Sequence, residues 1–243
     1  MVISERVKKI VFGRCGNRCA FPDCNQLIAF KEDSSEYANV GELAHIKGDK
    51  PRTARYDSNQ SDTERNSADN LILLCGTHHK IIDDQEDKYS IERLIEIKEN
   101  HEKWVLSQCS KQIGLITFVE LEIIKSFIIT NSISESDISA IHPRDKIKKN
   151  ELSPKIENLI KMGLSRSNLV KNYIDSNLDV EFGERLKQGF INKYTELKKE
   201  SNGDELFESM LDFACGNSSD FKEKAAGLTI LSYFFEKCDI FEK

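Results

Sequence analysis

The sequence lacks long apolar runs, internal repeats, low-complexity tracts and an excess of positive charge. No apolar run approaches bilayer-spanning length, and the start, MVISERVKKIVFGRCGN, has no unbroken apolar core or cleavage site of a secretion signal. Acidic residues number 41 and basic residues 35, which gives a formal net charge of −6. We therefore expect a cytoplasmic, globular protein without a membrane segment. Any nucleic acid must be bound by a local basic surface and a metal ion.

Cysteine and histidine are concentrated in the first half of the chain. The seven cysteines, without a secretion signal, favour metal ligation or free thiols over a disulfide framework. A helix is predicted from Ser90, as N-cap, through Trp104, and after it the Cys/His-rich sequence gives way to amphipathic helical segments. A length of 243 residues is enough for two small domains. We therefore predict one domain over residues 1–112 and a second over residues 113–243.

The first domain is predicted to mix strands and helices. Val40–Ile46 and Asn70–Leu74 have the short apolar pattern of strands. Residues 47–69 form a long polar stretch between them, with a capping-box signature at Ser61–Glu64 that predicts a brief helix. Another helix is expected to begin near Thr77. The predicted order is strand, long loop, strand, helix.

The second domain is predicted to be all helical. Apolar residues recur there at spacings of three and four, and breaks containing Asn, Ser and Gly separate the segments. The predicted helices cover residues 118–129, 154–162, 182–199, 204–214 and 221–237.

Two close pairs of soft ligands predict a structural zinc site. The pairs are Cys19-x4-Cys24 and Cys75-x2-His78. Each pair fits on one turn, so the two turns can clamp a tetrahedral Zn²⁺ ion. Cys15 is an alternative to Cys19, although its separation from Cys24 is less natural for a zinc turn.

A second constellation resembles the HNH, or ββα-metal, nuclease family. The residues that carry the resemblance are Glu42-Leu43-Ala44-His45-Ile46, Arg55-Tyr56-Asp57, Asn70-Leu71-Ile72-Leu73-Leu74-Cys75, His78-His79 and Asp83. The resemblance covers about residues 13–104. It implies a zinc-stabilised ββα-metal domain that hydrolyses nucleic-acid phosphodiester bonds with the help of a divalent cation.

The chemistry of hydrolysis assigns expected roles to these residues. His45 is the candidate general base, because the ordinary pKa of histidine lies near working pH. His79 and Asp83 are four residues apart, so in a helix they project from one face and can hold one Mg²⁺ or Mn²⁺ ion. By the family resemblance, Asn70 fixes the loop that orients His45.

One position departs from the family pattern. Many HNH nucleases have an acidic metal ligand directly before the base, whereas Ala44 occupies that position here. Glu42 lies on the same side of an extended segment and is the candidate replacement. Alternatively, His79, Asp83 and water molecules hold the cation.

Basic residues of the long loop are candidate phosphate contacts. Lys47, Arg52 and Arg55 are the main candidates, with Lys50 and Arg65 in the same loop. The alternative interpretation of these residues is a solvated polar loop.

The end of the chain resembles a domain of ABC-three-component anti-phage systems, such as Lamassu effectors. The motif is Ala225-Ala226-x3-Ile230-Leu231-x-Tyr233-Phe234-Phe235-Glu236-x-Cys238-Asp239-Ile240-Phe241-Glu242. The resemblance implies a helical module that docks on an SMC-like ATPase complex, which holds the effector in check. Its aromatic residues, among them Phe221, are candidate interface anchors or simply core residues.

Together these features predict an α+β nuclease followed by an all-α regulatory or assembly domain. The expected activity is metal-dependent cleavage of DNA in anti-phage defence, with self-association of the nuclease after release from its partner. RNA is not excluded as a substrate. The alternative is a non-catalytic zinc module that binds nucleic acid or acts as a scaffold, and Ala44 is the feature that favours it.

Overall fold

The computed structural model describes residues 3–30, 38–129, 143–216, 218–237 and 240–241. The chain divides into two compact units, Met1–Ser107 and Gln108–Lys243. This division falls a few residues before the predicted boundary after residue 112. The described residues form a mostly helical α+β protein with small antiparallel sheets.

The first unit contains the strands of the protein. Its elements are α1 (Glu5–Arg14), β1 (Ala29–Phe30), β2 (Ala38–Asn39), β3 (Gly41–His45), α2 (Asp62–Arg65), β4 (Leu71–Cys75), α3 (Gly76–Asp84) and α4 (Ile91–Ile113), whose last residues belong to the second unit. β1 pairs with β2 and β3 with β4, both antiparallel. The predicted order of strand, long loop, strand and helix is confirmed.

Strand β4 forms the centre of the first unit. All five of its residues are buried, as expected for a continuous apolar run covered on both faces. In the β3–β4 pair, His45 lies opposite Leu71 and Gly41 opposite Cys75. A Cβ atom on Gly41 would lie 2.4 Å from the Leu74 carbonyl oxygen, so only glycine permits this close approach.

The starts of two helices bear on the functional residues. The predicted capping box is present at the start of α2, where Ser61 and Glu64 bond reciprocally. Helix α3 begins one residue earlier than expected from Thr77, because Cys75 is its N-cap. The chain therefore turns from β4 into α3 at a cysteine, and His78 and His79 lie in the first turns of the helix.

The second unit is all helical in its described residues. Beyond the end of α4, its helices are α5 (Phe118–Ile128), α6 (Pro143–Lys149), α7 (Pro154–Leu164), α8 (Ser167–Asp175), α9 (Phe182–Leu197), α10 (Gly203–Ala214) and α11 (Phe221–Lys237). The five predicted helices are all present, with small shifts at their ends. Two short helices, α6 and α8, were not predicted.

Helix α11 is the central element of the second unit. It packs against α5, α7, α8 and α10, and its residues from Ala225 to Ser232 are all buried. A Cβ atom on Gly227 would lie 2.6 Å from the Ala214 carbonyl oxygen, so glycine lets α10 and α11 approach closely. The Nζ atom of buried Lys146 donates to the carbonyl oxygens of Phe235 and Ile240, both at 2.8 Å. This buried cation therefore holds the end of α11 and the segment that follows.

Several residues singled out from the sequence lie outside the described part of the chain: His142, Cys238, Asp239 and Glu242. Within the described ranges, the helices are too short or too polar to serve as membrane-spanning segments.

Candidate active site and metal centre

The structure brings the four predicted zinc ligands together. Cys19, Cys24, Cys75 and His78 each present one ligand atom, and these atoms all lie within 4.8 Å of one another. The Nδ1 atom of His78 is 3.1 Å from the Cys75 Sγ atom and 3.6 Å from the Cys19 Sγ atom. The end of β4 and the start of α3 supply one pair, and the loop after α1 supplies the other.

The geometry of this cluster fits a zinc ion. Ordinary Zn–S and Zn–N distances place the sulfur and nitrogen atoms of a tetrahedral site about 3.6 Å apart. Burial raises the pKa of the Cys19 thiol to about 12, so a nearby positive charge is needed to hold that sulfur as a thiolate. Cys15 is fully buried outside this cluster, and its carbonyl oxygen lies 3.0 Å from His101 Nε2. The structure therefore selects Cys19 over Cys15.

The ring of Phe21 stacks on His78. The two ring centroids are 3.9 Å apart and the planes are 10° from parallel. Phe21 lies in the loop between Cys19 and Cys24, so the loop that carries two sulfurs also fixes the orientation of the imidazole. Partners of this kind orient metal ligands. No pattern in the sequence predicts this contact.

His45 lies at the end of β3, beside the loop that Asn70 holds. The Oδ1 atom of Asn70 accepts from the Lys47 amide at 2.9 Å, and its Nδ2 atom donates to the carbonyl oxygens of Lys47 (3.0 Å) and Arg65 (2.9 Å). The Asn70 carbonyl also accepts from the Ile46 amide at 2.8 Å. Asn70 thus fixes the backbone of the two residues that follow His45.

The environment of His45 favours a neutral imidazole. Burial lowers the pKa of His45, although Asp49 and a hydrogen bond with Asn66 act in the opposite direction. Its Nε2 atom is shielded from solvent and has no hydrogen-bond partner within the described residues. A buried nitrogen without a partner is unusual and is a candidate position for chemistry.

His79 lies between two carboxylates. Its Nδ1 atom is 2.9 Å from Glu42 Oε2, and its Nε2 atom is 3.4 Å from Asp83 Oδ2. All three predicted cation ligands are therefore adjacent. However, the two carboxylates face different ring nitrogens, and a histidine binds one ion through one nitrogen. Of the two predicted ligand sets, this arrangement agrees with His79, Asp83 and water molecules, while Glu42 contacts the other ring nitrogen.

The phosphate-contact predictions require one clear correction. Arg55 has a side chain only 5% exposed, and its guanidinium bonds to groups of the protein, so it is not presented to a phosphate. Arg65 is likewise buried and donates to carbonyl oxygens of Gly48, Asp57 and Gln60. Among the main candidates, Arg52 is exposed, and Lys47 is partly exposed and pairs with Asp57 at 2.8 Å.

An open cleft of about 830 Å³ lies beside the Arg55 loop. Its lining includes Asp57, Glu86, Asp87 and Glu92. A surface with so many carboxylates repels a phosphate backbone. This acidic cleft is therefore a poor candidate for binding a phosphate backbone.

The second half of the chain matches a known family. Residues 121–242, half of the chain, match the model for C-terminal domain 10 of the ABC-three component (ABC-3C) systems. The chain belongs to this family. The finding confirms the resemblance predicted from the aromatic motif and extends it toward the start of the second unit. No curated protein matches the chain.

Membership in an ABC-3C family has two consequences for the protein. It gives the chain a context in anti-phage defence, and it implies interaction with the other components of the system. The match begins at residue 121, so the Cys/His cluster and the residues around His45 lie outside it.

The aromatic residues of the ABC-3C domain belong mainly to its core. Phe234, Phe235 and Phe241 are at most 4% exposed, and their rings contact one another or the rings of Phe190 and Phe207. Of the two interpretations of these aromatics, the structure therefore supports core packing for these three. Among the described residues of this unit, the large apolar side chains that stay exposed are Leu115, Phe118, Val119, Ile123, Phe127, Leu178 and Val180.

Proposed function

We propose that the first unit is a metal-dependent HNH-type endonuclease that hydrolyses DNA phosphodiester bonds. One observation carries the proposal: His45, the Asn70 clamp and the His79 carboxylate cluster adjoin the Cys/His site on a β3–β4–α3 arrangement. The resemblance to HNH nucleases rests on this same order of elements and residue types. The Cys/His site stabilises the unit by holding Zn²⁺.

The chain's own residues account for most of the expected mechanism. Neutral His45 takes a proton from the attacking water, and burial lowers the pKa of His45, which favours the form that can do so. Asn70 keeps the strand end in position by bonding both backbone groups of Lys47. A bound Mg²⁺ or Mn²⁺ ion supplies Lewis-acid stabilisation of the phosphate and the departing oxygen.

The geometry divides the roles of the cation-binding residues. His79 Nε2 and Asp83 Oδ2 face each other and are the pair that would hold the divalent ion. Glu42 accepts the hydrogen of Nδ1 and so orients the ring, as carboxylates commonly do for metal-binding histidines. Nitrogen and carboxylate oxygen donors with open positions for water suit Mg²⁺ or Mn²⁺.

The decisive experiment is cleavage of plasmid DNA by the purified full-length chain. We expect nicking or linearisation with Mg²⁺ or Mn²⁺, and none with a chelator. His45→Ala should reduce the rate at least about 100-fold, because general base catalysis typically contributes that much. Asn59 is exposed and lies in the loop between β3 and α2, so Asn59→Ala is the control and should cut normally. Equal rates for His45→Ala and the wild type would reject the assignment.

A second candidate function is supported by one observation. Many HNH nucleases have a carboxylate directly before the general base, whereas this chain has Ala44 there, and Ala44 is fully buried. A non-catalytic zinc module would bind DNA in a gel-shift assay without cutting it under any divalent ion. The same assays with RNA determine which nucleic acid is the substrate.

The family membership suggests how the nuclease is controlled. We propose that the protein is the effector of its ABC-3C system, and that the C-terminal domain binds an SMC-like ATPase complex which holds the nuclease inactive. Release from this complex then permits self-association and cleavage. An unrestrained nuclease would damage the DNA of the host cell, and this arrangement prevents that.

A further inference from the structure

Arg55 makes an unusual set of contacts for an arginine in a long polar loop. Its side chain is only 5% exposed. Nε donates to the Ile46 carbonyl oxygen at 2.9 Å, Nη1 to the Ile82 carbonyl oxygen at 2.7 Å, and Nη2 to Asp83 Oδ1 at 2.7 Å. Each of the three guanidinium nitrogens therefore has a partner inside the protein.

These partners lie on the two elements that carry the proposed chemistry. Ile46 directly follows His45, and its amide is already held by the Asn70 carbonyl. Ile82 and Asp83 belong to α3, which also carries His79. One rigid, planar group thus joins the end of β3 to α3, and its geometry sets the distance between them.

Building on the proposed nuclease function, we propose that Arg55 is a positioning residue. It holds Asp83 Oδ1 so that Oδ2 faces His79 Nε2, and it fixes the spacing between His45 and the cation pair. The guanidinium of Arg55 is buried, although Asp83 is 45% exposed. A buried charge needs further hydrogen bonds to offset its desolvation, and the two carbonyl contacts provide them. Lysine would place a charge near Asp83 but lacks the fork that reaches both carbonyl groups.

The backbone of Arg55 supports this role. Its φ angle of 58° lies in the left-handed region, which is costly for a residue other than glycine. Its amide donates to Glu86 Oε2 at 3.3 Å, just beyond the end of α3. The surrounding contacts thus maintain a conformation that directs the side chain inward between β3 and α3.

Arg93 is a matched control in the first unit. It also pairs with a carboxylate, Glu96 Oε2 at 2.6 Å, but its side chain is half exposed. The test compares Arg55→Lys, Arg55→Met and Arg93→Met with the wild type, each in the whole 243-residue chain. Four quantities are measured: kcat, KM for plasmid DNA, Mn²⁺ affinity by calorimetry, and zinc content.

We expect Arg55→Met to lower kcat and Mn²⁺ affinity by about 10- to 100-fold, the usual effect of losing a residue that orients a metal ligand. KM for DNA should change little, and the zinc content should stay the same. Arg55→Lys should retain the fold and recover only part of the loss. Arg93→Met should leave Mn²⁺ affinity and kcat unchanged.

Several results would overturn the proposal. Normal kcat and Mn²⁺ affinity in Arg55→Met would do so, and so would an increase in KM alone, which indicates a phosphate contact. If Arg55→Met fails to fold, Arg55→Lys decides, and wild-type behaviour of that variant overturns the proposal. If the wild type binds Mn²⁺ but cuts nothing, the nuclease function fails while loss of Mn²⁺ affinity in Arg55→Met still supports the positioning role. If the wild type neither binds Mn²⁺ nor cuts, both proposals fail.

Discussion

Buried thiols beside an imidazole are stable in two different ways, as neutral hydrogen-bonded groups or as metal ligands. In this protein Cys19 and Cys75 are buried and Cys24 is partly buried, with His78 Nδ1 within 3.6 Å of two of the sulfurs. Neutral thiols are weak hydrogen-bond partners, so hydrogen bonding alone gives little reason for three thiols and an imidazole to lie together. These four groups could therefore hold a metal ion such as zinc.

We expect about one tightly bound zinc per chain, measured by elemental analysis of the purified protein. Cys24→Ser and Cys75→Ser should lose the zinc and destabilise the first unit, because zinc binding contributes directly to its folding. Cys15→Ala is the matched control, since Cys15 is buried nearby but is not part of the cluster. Soluble, folded wild-type protein without zinc would refute the assignment.

Spacing along the chain predicts some residues of the site and misses others for a physical reason. Two closely spaced pairs of cysteine or histidine residues predict a metal site, because outside a metal site such pairs seldom occur together in a chain without a disulfide framework. Arginines in a polar loop give no such signal, because the sequence alone does not show whether they face solvent or buried carbonyl groups. Arg55 and Arg65 were accordingly predicted as phosphate contacts, whereas the structure places both inside the loop.

Helix α5 begins with a capping box that also contacts another helix. Glu120 Oε2 accepts from the amide and hydroxyl groups of Thr117, both at 2.7 Å, and Glu120 Oε1 pairs with Lys222 at 2.7 Å. Burial alone would raise the pKa of Glu120, but these hydrogen bonds lower it to about 2. Lys222 lies in α11, so the cap also ties α5 to the central helix.

The lowered pKa of Glu120 predicts a specific pH dependence. The folded state holds the carboxylate more strongly than the unfolded chain, so its contribution is present above pH 4.5 and is lost as the pH falls toward 2. Glu120→Ala should lower the free energy of unfolding by about 1 kcal/mol at pH 7, as loss of a helix cap typically does. Urea denaturation at several pH values measures this.

Two variants distinguish the hydrogen bonds of the helix cap from the charge of Glu120. Glu120→Gln retains an acceptor for Thr117 but removes the charge, and Lys222→Met removes the cation. The difference in stability between wild type and Glu120→Gln should shrink between pH 4.5 and pH 2. A difference that does not change with pH would show that charge is not involved.

Periodicity predicts long helices well and short elements poorly. The helices from α9 to α11 bury a continuous apolar stripe, and their predicted bounds agree closely with the structure. The strands β1 and β2 have two residues each, too few for any alternation to appear. α8 is amphipathic, with Val170 and Tyr173 buried, but it has only nine residues, so few apolar positions repeat along it.

The two units of the chain differ in the evidence about their function. The ABC-3C family covers only the second unit, which provides the link to other components of the system. The first unit carries the Cys/His cluster and the proposed nuclease residues. The proposed nuclease residues and the family match therefore lie in separate units.

The division between the units affects how the chain should be cut for binding experiments. Helix α4 continues to Ile113, whereas the second unit begins at Gln108. Cys109 is 8% exposed, so its thiol is buried within the second unit. A cut after residue 112 would remove it. Overlapping fragments 1–113 and 108–243 retain the end of α4 in both.

We expect fragment 108–243 and the full chain to co-purify with the ATPase components of the same ABC-3C system, and fragment 1–113 not to. The reason is that the family-defining domain lies wholly within 108–243. Circular dichroism of each fragment establishes folding before the pull-down, and zinc content does so for fragment 1–113. Substitutions in α11 are unsuitable as a test, because its aromatics fill the core and their loss would unfold the domain. If folded fragment 1–113 carries the binding, or if neither folded fragment nor the full chain binds, the proposed control of the nuclease by its C-terminal domain is wrong.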